Sequence, residues 1–173
     1  MTNRRNAAGP KCRGFSLIEL VIVVVIMGVL AAIAIPRMGR GARTAGASAL
    51  KQDLTALRNA IEMYAAEHDG RYPNSNIVTQ LTQYSNNTGT TMSTTKNPGT
   101  GVVYGPYLKE TPPLPVGTSK GEAGVFVESD SDETLDWDDD DDGGWWYNSA
   151  TAEVRAYLPN SDKDDDGVRY NSY

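Results

Sequence analysis

An apolar run of 21 residues, Phe15 to Ile35, sets the first limit on what this chain can become. Only Ser16 and Glu19 interrupt it with polar side chains. At about 1.5 Å per residue a helix of this length spans ~31 Å, close to the ~30 Å hydrocarbon core of a bilayer. A backbone in lipid must satisfy its own hydrogen bonds, so an unbroken run of this kind is a helix. It has to be covered by lipid or by protein. Glu19 is the anomaly. A carboxylate at the middle of a membrane helix costs about 2.5–3.5 kcal/mol, less near an end, and its own segment offers no partner.

The flanks add a direction. Arg4, Arg5, Lys11 and Arg13 precede the run, with no acid before Glu19. Positive flanks stay on the cytoplasmic side, so residues after the run are expected to be exported. Arg37, Arg40 and Arg43 follow the run, but less densely. The segment is too long for a cleaved secretory signal, and Gly14, the small residue at its edge, comes before it rather than after. Cleavage at Gly14 would leave the apolar run on the mature chain. It would also remove Cys12, the single cysteine, so that no disulfide could form. Losing the four leader cations takes the net charge from −6 to −10. So acidic a remainder is not a nucleic-acid binder by simple electrostatics.

The stretch Gly14-Phe15-Ser16-Leu17-Ile18-Glu19, with its basic leader and apolar sequel, resembles the class III signal of type IV pilins and type II secretion pseudopilins. The resemblance implies cutting between Gly14 and Phe15 by a prepilin peptidase and N-methylation of the Phe15 amine. It also implies a homopolymer built through the N-terminal helix, in which Glu19 meets the terminal amine of a neighbouring subunit. Two further stretches are similar to the major pseudopilin of type II secretion. One is Gly70-Arg71-Tyr72-Pro73 after a tyrosine-bearing helix end. The other is Gly105-Pro106-Tyr107-Leu108-Lys109. The sequel Leu114-Pro115-Val116-Gly117 departs from that family's Asp-Pro-Trp-Gly.

Beyond the run, Ala47, Leu50, Leu54, Leu57, Ile61 and Tyr64 recur at spacings of three and four, one stripe of an amphipathic helix. Gly70 and Pro73 mark its stop. Gly28 and Pro36 are weak points within it. Residues 74–100, rich in Asn, Thr, Ser and Gly, read as loop. Strands are expected at 124–128, 144–148 and 153–158, with the turn at Asn148–Thr151. Trp145, Trp146, Tyr147 and Tyr157 are the packing candidates. The expected fold is α+β and pilin-like: a long N-terminal helix packed against a small antiparallel β-sheet. Its parts are a cleaved leader (1–14), a transmembrane and assembly helix (15–35), an amphipathic helix (36–70), and a loop and sheet domain (71–173).

From Glu128 to Asp142 there are ten acids and no base. Asp138, Asp140 and Asp142 precede Gly143, and the pattern Asp-x-Asp-x-Asp-Gly recurs at Asp162, Asp164 and Asp166 before Gly167. Alternating carboxylates on a Gly turn can converge on calcium. The twelfth position of an EF-hand would fall on Ser149 or Tyr173, so neither loop is complete. Major pseudopilins also commonly hold a calcium in a C-terminal loop, and calcium bound by these loops is the expectation for this exported domain.

Catalytic machinery is missing from the sequence. His68 is the only histidine, and its place near a helix end suggests capping or simple exposure. There is no Cys/His metal spacing and no phosphate-cradling glycine loop. The expected role is structural: a pseudopilin subunit of a type II secretion filament, with no enzyme activity. Its expected place is the bacterial inner membrane, crossed once, with the N-terminus cytoplasmic and the C-terminal domain periplasmic. The expected partners are the assembly platform and the secretin apparatus. A type IV pilin for adhesion, motility or DNA uptake is the alternative. A membrane-tethered calcium-dependent enzyme or sensor is the alternative of another class.

Overall fold

The stripe of leucines beyond the apolar run is where the fold is built. The computed structural model describes residues 14–130 and 143–173, with the side chains of 33–40 outside that description. Helix α1, Leu17–Glu67, has 51 residues and continues through Pro36. The chain divides into two compact units, residues 1–39 and 40–173.

In the second unit Ala47, Leu50, Leu54, Leu57, Ile61 and Tyr64 are all buried. They form one core with Leu114, Val116, Trp145, Tyr147, Val154, Ala156 and Leu158. The helix stops by geometry. Asp69 and Gly70 adopt left-handed φ values of 57° and 77°, and the Gly70 amide turns back to the Ala65 carbonyl at 2.8 Å. A glycine takes that conformation without a Cβ penalty. Gly46 serves the opposite need. A Cβ there would lie 2.6 Å from the Val116 side chain, so α1 and the 115–116 segment meet only because this position is bare.

Strands β3 (Gly124–Glu128), β4 (Gly144–Asn148) and β5 (Glu153–Tyr157) make a three-stranded sheet in that order. β4 and β5 are antiparallel, joined by the turn after Asn148, whose Oδ1 accepts from the Ala150 and Thr151 amides. β3 runs parallel to β4, a difference from the purely antiparallel sheet expected. A parallel pair needs a connection longer than a hairpin, and the stretch between Glu128 and Gly144 supplies one. The rows Val125–Trp145–Ala156 and Val127–Tyr147–Val154 face the core. Trp146 and Tyr157 are buried as well, but outside that core. Phe126 stacks on Tyr157 at 5.5 Å.

The region read as loop holds more order than that. Helix α2 occupies Ile77–Thr82, and β1 (Tyr84–Ser85) pairs antiparallel with β2 (Met92–Ser93). Ile77 and Leu81, four apart, put one apolar face of α2 into the core. Gln80 is buried, donating to the Gly89 carbonyl and accepting from the Asn74 amide, both at 2.9 Å. The Gly105–Leu108 segment lies against α2 and the end of α1. The amides of Tyr107 and Leu108 donate to the Leu81 carbonyl, and the Tyr107 hydroxyl donates to Glu67 at 2.6 Å.

Candidate functional site

The first unit presents side chains that nothing in it covers. From Phe15 to Leu30 the large apolar residues are between 42% and 80% exposed. So large an apolar surface on a chain marks a site for lipid or protein. Gly14 is exposed immediately before it, and Phe15 is 74% exposed. α1 begins at Leu17, its first turn closed by the Glu19 and Leu20 amides on the Ser16 carbonyl at 3.1 and 3.2 Å. Glu19 lies in that first turn. A carboxylate there sits at the positive end of the helix dipole, an attraction of about 0.3–1 kcal/mol. This offsets only part of what burial in an apolar phase would cost. Counted over the described residues alone, no helix is long and apolar enough to cross a membrane. The sequence run itself extends into residues 33–35, whose side chains are not described.

The second candidate is the C-terminal loop. Its backbone closes on itself through Asp164 N to Val168 O at 2.9 Å and Tyr170 N to Asp162 O at 3.1 Å. The carboxylates point to different partners. Asp162 Oδ2 accepts from the Thr118 amide at 2.7 Å and its hydroxyl at 3.0 Å. Asp164 Oδ1 accepts from the amides of Asp166 and Val168 at 2.9 and 2.8 Å, and Oδ2 accepts from the Tyr173 hydroxyl. Asp165 pairs with Arg43 at 3.8 Å. The Tyr173 hydrogen bond comes first in holding the Asp164 carboxyl below its usual range, with the backbone amides and Lys51 adding to it against desolvation. Burial and the same bond push Tyr173 up to about 12. Asp162, Asp164 and Asp166 thus do not converge, and among the described residues no group of three could hold a metal ion. Asp138, Asp140 and Asp142 lie outside the described residues.

His68 departs from simple exposure. It is fully buried, stacked on Tyr64 at 3.8 Å, and its Nδ1 and Nε2 lie 2.8 Å from the Tyr64 carbonyl and 2.9 Å from Ser85 Oγ. A carbonyl only accepts, so Nδ1 carries the proton and Nε2 accepts from Ser85. The side chain therefore caps an orphan carbonyl at the end of α1. With both nitrogens used internally, this His–Ser pair is packing, not a nucleophile and its base.

Known proteins match part of the chain. The family described as the prokaryotic N-terminal methylation motif matches residues 9–35. The type II secretion system core protein G of Escherichia coli K12 is 38% identical over 69 residues, 40% of this chain and 47% of the relative. That of Aeromonas hydrophila is 37% identical over 60 residues, 35% of this chain and 41% of the relative. The type IV major pilin protein PilA of Myxococcus xanthus is 47% identical over 60 residues, 35% of this chain and 27% of the relative. The chain thus spans less than half the length of these relatives. No solved structure matches it significantly. By its motif and its relatives the chain resembles the type IV pilin and type II secretion pseudopilin family, with the type II secretion core protein G recurring among those relatives.

Proposed function

We propose that this chain is a structural, non-catalytic subunit of a type II secretion pseudopilus, cut after Gly14, methylated on Phe15 and polymerised through the first part of α1. The observation that carries this reading is the uncovered apolar surface from Phe15 to Leu30, with one carboxylate, Glu19, in its first turn. Before assembly the run 15–35 crosses the bacterial inner membrane, basic leader inside and residues 40–173 in the periplasm. In the polymer the same surface is covered by other copies, and Glu19 meets the Phe15 amine of a neighbour. The assembly platform and the secretin apparatus are the machinery such a subunit works with.

Glu19→Ala tests the pairing. The variant should insert as well as the parent, since the change removes an unfavourable group from lipid. It should leave the neighbour's amine buried and unpaired, a loss of about 3–5 kcal/mol. Immunoblots of sheared filament against membrane fractions are expected to show the protein in membranes and little in filament. An undiminished filament yield would overturn the pairing, and an intact mass that still includes residues 1–14 in cells with prepilin peptidase would overturn the whole reading.

The resemblance to the Myxococcus pilin, higher in identity than to either core protein G named above, favours a second reading as a type IV pilin. Deleting the gene separates the two: a pseudopilin mutant retains its exoproteins in the periplasm, whereas a pilin mutant loses surface fibres and keeps secreting.

A further inference from the structure

The loop that carries Asp-x-Asp-x-Asp-Gly before Gly167 faces α1 across a cavity of about 110 Å³, lined by Thr44, Ala47, Ser48, Lys51 and Asp164 to Asp166. In a calcium loop the crowded carboxylates turn inward and share one ion. Here they are dispersed, and the positive charge comes from the chain. Arg43 stands at Asp165, and the Lys51 ammonium lies 4.2 Å from the centre of the Tyr173 ring, whose hydroxyl is bonded to Asp164. Arg58 completes the attachment, its Nη2 donating to the Tyr173 carbonyl at 2.8 Å and to the Val154 carbonyl at 3.2 Å. Tyr173 is therefore held at its hydroxyl, ring and backbone by three different side chains, two of them on α1.

We propose that residues 162–173 close on α1 as a metal-independent clasp, in which Tyr173 and the Lys51 and Arg58 cations hold the carboxylate loop that a calcium ion would otherwise gather. Each part follows from elementary chemistry. Three of the roughly four acceptor sites of the Asp164 carboxylate are taken, by two amides and a phenol, and each oxygen has a donor without an ion. The ammonium over the ring gains a cation–π contact and, on the same side, lowers the potential energy of the Asp164 charge. The guanidinium spans a strand carbonyl and the Tyr173 carbonyl through the two N–H bonds of one nitrogen, Nη2. The inference concerns only this loop and stands whether or not the chain polymerises.

Hydrogen exchange of the full chain in detergent, read at the amides of 164–173, tests it locally. Protection there should be the same in calcium, in magnesium and in chelator. It should fall about tenfold in Tyr173→Phe, which keeps the ring but loses the hydroxyl, and in Lys51→Met, which keeps the stem but loses the charge, while amides of β4 keep their protection. A rise in protection at 164–173 on adding calcium overturns the proposal. So does unchanged protection in both variants.

Discussion

At the scale of single residues the interior is decided by hydrogen-bond completeness. His68 shows it best. A lone histidine near a helix end has no sequence mark that separates exposure from burial. What buries it is the Tyr64 ring beneath it and Ser85 opposite, brought from a strand seventeen positions away. Ser85→Ala should leave Nε2 buried without a donor and cost about 1–3 kcal/mol. A fall in the urea midpoint at unchanged slope would register this. Gly46 was equally silent in the sequence, because its reason is the Val116 side chain more than sixty positions on. Leucines at helical spacing were legible, because periodicity alone encodes which face is covered.

Among the elements, strands with bulky or β-branched residues between turn signals could be placed directly. β3 and β4 lie where the sequence put them, and β5 one residue short. Helix α2 was not legible, since six residues offer too short a window for periodicity, and Ile77 and Leu81 count only once the core is present. The direction of β3 was hidden too, because pairing sense is a property of the connection and not of the strand. The carboxylate spacing in the C-terminal loop was legible, while its partners, Thr118, Arg43 and Tyr173, were not. Those partners give the loop a pH window. Asp164 has its carboxyl lowered from 3.8, so its contribution is present above that value and fades as the pH falls through the lower one. Tyr173 is raised from 10.0 to about 12, so its contribution is whole below pH 10 and is lost as the pH rises through about 12. Protection of the loop amides should hold between roughly pH 4 and 10 and decline on both sides. A Tyr173→Phe chain should lack the alkaline limb, a difference measurable by hydrogen exchange corrected for the intrinsic rate.

Across the whole molecule the two units obey different rules. Residues 40–173 own a closed core, whereas the large apolar side chains from Phe15 to Leu30 are exposed throughout. A chain beginning at Arg40 should therefore fold alone, with a cooperative melt, near-ultraviolet dichroism from its buried tryptophans, and a clasp that still protects 164–173. A broad melt without near-ultraviolet signal would show that the second unit depends on the first. Within that unit, Leu54→Ala should cost about 2–5 kcal/mol, as expected for a leucine in close-packed surroundings. The bonds from Arg58 to Tyr173 join positions 115 apart. A contact over so long a separation forms only after the chain between its ends has been ordered, so the flank of α1 that carries Arg58 is among the last surfaces of the second unit to be covered as it folds.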